Sequence, residues 1–214
     1  MSNLTVYQVY ELLNRPKPLW LVKINLSDIS LWMVDLSECN LSHADLTRTD
    51  LSWANLYKCQ LFKANLNQAN LFEAQLVQAV LIEANLTRAN LTRTNLDRAN
   101  LEGAQLVESN LSRSILSRVN LNRANLSGSI ITRADLGKSD MVGVNLHSAN
   151  LAYANLFEVD LSGADLRNAN FENADLSGAL LTGANLRGAN FRNAILNDTV
   201  MPEDAPKPVV EINK

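Results

Sequence analysis

The stretch 81–100 reads LIEANLTRANLTRTNLDRAN, with leucine at 81, 86, 91 and 96. Two residues before them stand Ala79, Ala84, Ala89 and Thr94, and one residue before stand Val80, Asn85, Asn90 and Asn95. The pattern extends in both directions. A large apolar residue holds every fifth position from Leu26 to Leu196, through 35 pentads without a slip in register. Leucine fills 31 of them; Ile131, Met141, Phe171 and Phe191 fill the others. The position two before is Ala in 21 of the 35, so small and large residues keep a fixed offset along the whole run.

A period of five fits no uniform element. In an α-helix five residues advance about 500°, a drift of roughly 140° per pentad, so the leucines form no stripe. In a flat strand an odd spacing throws successive leucines onto opposite faces. Within one pentad, however, the small residue and the leucine are two apart and share a face of a short extended stretch. The three steps from leucine to the next small residue require a turn. Extended stretch and turn, bending always the same way, make a coil with Leu and Ala inside, and stacked coils bury a continuous core.

Ala44-Asp45-Leu46-Thr47-Arg48, Ala99-Asn100-Leu101-Glu102-Gly103 and Ala164-Asp165-Leu166-Arg167-Asn168 resemble the A(D/N)LXX unit of pentapeptide-repeat proteins. The resemblance implies that family's all-β solenoid, a right-handed quadrilateral parallel β-helix with four pentads per square coil. Taken at 20 residues per coil, the 35 pentads make almost nine coils. A coil spacing of about 4.8 Å then gives a rod roughly 40 Å long. Fold-level likeness says little about function.

Three segments are expected: a helical cap over 1–18, the repeat over 19–201 and a tail over 202–214. Val6, Val9, Tyr10 and Leu13 share one side of a helix over 3–14, started by Asn3 or Thr5 and stopped by Pro16 and Pro18. Solenoid ends need covering. Beyond Pro202, either Val209, Val210 and Ile212 fold back over the last coil, or, as the resemblance implies, two copies meet through the C-terminal coil. Met1 opens no signal segment, and no apolar run is long enough to span a membrane, so a cytoplasmic protein is the expectation.

Residues 20 apart should stack. Phe171 then lies on Phe191, and Cys39 on Cys59. The two thiols read as small buried apolar groups, although a bridge between adjacent coils is geometrically open. The hydroxyls of Thr94, Ser109, Ser114 and Ser129, at the small inward position, should donate to backbone carbonyls.

Function must lie outside. An enzyme needs convergent groups in a concave site. This repeat has no interrupting loop, triad spacing or phosphate loop, and His43 and His147 lie about five coils apart. Neither catalysis nor a cofactor nor a metal is expected. Asp140 stacked on Asp160 beside Glu158 reads as solvated surface charge rather than a cation site.

The net charge of −3 is unevenly spread. Residues 86–140 carry 8 basic and 5 acidic side chains, whereas 141–214 carry 5 and 9. Two arginine ladders stand out, Arg93, Arg113 and Arg133, and Arg98, Arg118 and Lys138. They offer a strip to an acidic partner, or read as soluble filler. Direct nucleic-acid binding is not expected, because the strip lacks interleaved aromatics and the chain is acidic. An apolar patch is expected from Tyr57 stacked with Val77 and Phe62 stacked with Ile82, with Phe72 on a neighbouring face, Trp53 close by and Trp32 one coil below. The resulting expectation is a rigid, noncatalytic scaffold that binds a protein partner. The resemblance supplies an alternative: some family members are dimeric DNA-like rods that bind DNA gyrase or topoisomerase IV. That role needs an anionic surface, which residues 86–140 do not give.

Overall fold

A computed structural model describes residues 6–203 of the chain. The proposed helix starts at Asn3 and Thr5 and the fold-back of Val209, Val210 and Ile212 lie outside these residues. Helix α1 (Val6–Leu13) comes first. Its Val9 is buried, and Leu13 packs partly buried against the repeat core.

From Trp20 onward every fifth residue forms a parallel bridge to the residue 20 further along, starting with Trp20 to Asn40 and ending with Leu180 to Val200. Four pentads therefore close one turn, and each flat side contributes a single bridge rather than a long strand. The leucine side chains fill the interior. From Leu36 to Leu181 the pentad-centre residues, including Ile131, Met141 and Phe171, are fully buried.

The pentad composition follows from its hydrogen bonds. The Leu46 amide donates to the Asn65 carbonyl of the next coil (2.7 Å), and Arg48 to Asn67 (2.9 Å). Asp45 donates back to Ile24 (2.8 Å), and Thr49 closes the corner onto Leu46 (3.1 Å). One amide remains, that of Thr47, and the Asp45 carboxylate accepts it (3.1 Å). Asn or Asp before the leucine thus satisfies the one N–H the ladder leaves over. Asn side chains also donate along the stack, as Asn90 Nδ2 does to Asn70 Oδ1 (2.9 Å).

Each corner is made by the two residues after the leucine. Positive φ falls on the second of them, for example Arg88 (φ 57) and Glu108 (φ 55), as in a type II turn. Side chains there pay about 1–2 kcal/mol for the left-handed conformation, so they are held by the ladder on either side.

Candidate interaction surface

Inside the coil, buried hydroxyls bond the backbone. Thr94 Oγ1 donates to the Leu71 carbonyl (2.8 Å), Ser109 Oγ to Leu106 (2.7 Å), Ser114 Oγ to Leu111 (2.6 Å) and Ser129 Oγ to Leu126 (2.7 Å), as the sequence suggests. Cys39 and Cys59 are both buried and unbridged. Burial pushes the Cys59 thiol far above its ordinary range. Phe171 and Phe191 stack with centroids 5.0 Å apart and planes 3° off parallel. Among the described residues no cluster of His, Cys, Asp and Glu is placed to hold a metal, and no helix is long and apolar enough to cross a membrane.

Outside, all side chains of the rod belong to four corners and four flat sides. The twenty-residue stacking assigns each one. Phe62 and Ile82 share one corner, Tyr57 and Val77 share the next going backward along the coil, and Phe72 sits on a third. The five residues therefore do not form one patch. Each is half-buried, and the rings are covered by neighbours: the Lys63 ammonium lies 5.0 Å from the Phe62 centroid and Lys58 5.0 Å from that of Tyr57. His43 meets Phe62 edge-on at 5.4 Å.

The two cation ladders do form, on adjacent corners, with all six side chains exposed. Their surroundings differ. On one corner Asp97 lies between Arg98 (3.6 Å) and Arg118 (3.1 Å), and Lys138 pairs with Glu158 (3.5 Å). On the other, Arg93 pairs with Glu73 (2.8 Å) and Arg133 lies 5.5 Å from the centroid of the Tyr153 ring. Between them Arg113 has no ion pair among the described residues, although it is flanked by two like charges. Glu158, expected beside Asp160, is thus engaged with Lys138. Asp140 stacks on Asp160 and accepts from Asn122 Nδ2 (2.7 Å).

Two features converge on the Arg113 corner that the sequence leaves scattered. Trp32, Met33, Trp53 and Phe72 lie on this same corner, below the arginines, and Trp53 meets Phe72 edge-on at 5.9 Å. The signal was present in the numbering, since both corner residues of a pentad project at one place. The second feature is Ile115 and Ile130, on the flat sides that flank the corner. They replace Asn/Asp, so the amides of Ser117 and Thr132 lose their side-chain acceptor, and they stay exposed at 44% and 45%.

At the N-terminal end of this corner a cleft of about 440 Å³ opens between α1 and the first coil, lined by the apolar Leu13, Leu31, Trp32 and Val34 and by the polar Asn14, Ser30, Lys17 and Asp35. Lys17 bridges its rim, donating to Ser37 Oγ (2.9 Å) and pairing with Asp35. Burial disfavours the Asp35 carboxylate, but Lys17 and the Ser37 hydroxyl and amide outweigh it and hold its pKa at about 2.

The family model for pentapeptide repeats matches residues 24–61, 59–98, 94–133, 129–168 and 160–198. Among solved structures, HetL from the cyanobacterium Nostoc sp. strain PCC 7120, a pentapeptide-repeat protein involved in heterocyst differentiation regulation, is 31% identical. That match covers 96% of this chain and 99% of HetL, with a TM-score of 0.55. QnrB1, a plasmid-mediated fluoroquinolone resistance protein, is 17% identical over 77% of this chain and 84% of its own, with a TM-score of 0.68, which shows the shared fold alone. No curated protein matches the chain.

Proposed function

This chain belongs to the pentapeptide-repeat family of right-handed quadrilateral β-helices, and from that premise we propose that it is a noncatalytic scaffold that binds a protein partner on its cationic middle. The observation that carries this reading is the pair of arginine ladders, six exposed cations on two adjacent corners of a rod whose interior is filled. A rigid ladder loses little conformational freedom on binding, so surface complementarity converts efficiently into affinity. The topoisomerase alternative is not favoured, because residues 86–140 carry an excess of basic side chains where a DNA mimic needs acidic ones.

We also propose that α1 acts as the lid of the first coil and that two copies meet through the last one. Leu186, Phe191, Ala194, Leu196 and Met201 are only partly buried there, and Leu180, Ile195 and Val200 expose apolar side chains around the same end. Sedimentation that shows only monomer at high concentration would remove the dimer. Reduced, buried Cys39 and Cys59 suit a cytoplasmic setting.

The scaffold reading is tested by affinity capture from the native lysate with three baits: wild type, Phe62→Ser/Ile82→Ser, and Arg93→Glu/Arg113→Glu/Arg133→Glu. The expected outcome is a protein retained by the first two baits and lost from the third. Equal retention by all three would place the partner elsewhere, and no retained protein would count against the scaffold.

A further inference from the structure

Two surfaces that look unrelated in sequence meet on the Arg113 corner. Its N-terminal half presents Trp32, Met33 and Trp53, exposed at 60%, 61% and 52%, together with Phe72. Its middle presents Arg93, Arg113 and Arg133, capped by Tyr153. Met33 to Arg133 spans five coil steps, about 24 Å at the usual strand spacing. That is the length of a helix of about 16 residues.

The charge on this edge is incompletely matched from within. Glu73 answers Arg93 and a ring answers Arg133, but Arg113 stands between two like charges without a carboxylate. Three arginines on successive coils, about 4.8 Å apart at the backbone, set like charges beside one another, and an external pair of carboxylates would relieve this. On either side Ile115 and Ile130 expose apolar surface and give up the acceptor that Asn would provide, so the pattern is broken beside the uncompensated cations. At the far end the edge runs into the cleft beside Trp32, where Leu13, Leu31, Trp32 and Val34 give an anchoring side chain an apolar wall opposite the polar Asn14, Lys17, Ser30 and Asp35.

We infer that the edge from Trp32 to Tyr153 is the docking site for an acidic protein segment with an apolar end. Its apolar residues pack on Trp32, Met33, Trp53 and Phe72, with one bulky side chain in the cleft. Its carboxylates pair with Arg93, Arg113 and Arg133, and its flanking apolar groups meet Ile115 and Ile130. The inference rests on the scaffold reading and adds the edge and the chemistry of the partner. A nucleic-acid strand fits less well. It needs cations along its full length, whereas here the aromatic half carries only Lys17 near Trp32, already paired with Asp35, and Glu73 stands at the junction.

The test is a display selection with random 16-residue peptides on the full chain, beside direct binding of a fluorescent thymidine oligonucleotide. The enriched peptides are expected to combine Leu, Phe or Trp at one end with two or more Asp or Glu at the other. Arg113→Glu/Arg133→Glu and Trp53→Ser/Phe72→Ser should each weaken them by about tenfold or more. Binding should also fall as salt rises from about 50 to about 500 mM. Ile115→Asn/Ile130→Asn is the control against misfolding: it restores the Asn pattern, so thermal stability holds or rises while peptide affinity drops. Peptides without acidic enrichment, an absence of enriched peptides, or an oligonucleotide that binds more tightly and is lost in the same variants would each overturn the inference. Acidic peptides that respond instead to Arg98→Glu/Arg118→Glu would move the site to the adjacent corner and leave the scaffold reading standing.

Discussion

Leu106→Lys should abolish cooperative folding of the central coils, whereas Val107→Lys, one residue along, should change stability by no more than about 0.5 kcal/mol. Leu106 is fully buried, stacked between Leu86 and Leu126, and its amide donates to the Asn125 carbonyl (2.7 Å). A lysine there puts an ammonium among leucines with no carboxylate in reach, and an unpaired buried charge costs well beyond about 5 kcal/mol unless the fold gives way. Because each coil of a solenoid is supported only by its neighbours, the damage spreads outward from the breach. Val107 occupies the first corner position, between Thr87 and Ser127, where a long side chain reaches water. Circular dichroism melts of the two variants check this. Equal damage from both would mean that the assigned facing is wrong.

Phe171→Ala should cost about 3–5 kcal/mol, and Phe191→Ala clearly less in the isolated rod. The two rings stack on one another, but Phe171 is fully enclosed and Phe191 is only partly buried near the open end. Truncation of Phe171 leaves a cavity walled by coils on both sides, and a cavity cannot collapse without shifting the ladder. Loss at Phe191 opens a surface instead. Denaturant unfolding measures both. If two copies cover the last coil, the cost at Phe191 should grow with protein concentration towards that at Phe171. Equal costs under dilute conditions would contradict the open end.

Much of the scaffold was legible because it depends on one arithmetic fact. A period of five with a small residue two before each leucine forces extended stretches joined by turns, and from that follow the buried leucines, the stacked Phe171 and Phe191, and the hydroxyls of Thr94, Ser109, Ser114 and Ser129 on backbone carbonyls. The role of the Asn/Asp position was not legible, since it satisfies an amide two residues away that only the corner geometry leaves free. The surface was read less well. Tyr57 with Val77 and Phe62 with Ile82 stack as the numbering implies, yet the square coil turns these two pairs and Phe72 onto three corners, so they make no single patch. Conversely, Trp32, Met33, Trp53 and Arg113 are up to four coils apart and share one edge. Outward residues depend on position within twenty, not five, and on the fact that both corner residues of a pentad project together. Counterions are a further layer: Asp97 and Glu158 answer the Arg98–Lys138 ladder, whereas the Arg113 ladder is left with Glu73 alone.

Everything proposed for the surface depends on residues twenty apart standing directly above one another. Spin labels test that stacking most directly, with Cys39→Ala/Cys59→Ala as background and Met33→Cys as the fixed site. Paired in turn with Arg113→Cys, Arg133→Cys, Tyr153→Cys and Asn173→Cys, it should give distances of about 19, 24, 29 and 34 Å, one step of about 5 Å for each added coil. Distances that do not grow by a common step would contradict the square coil and the edge built on it.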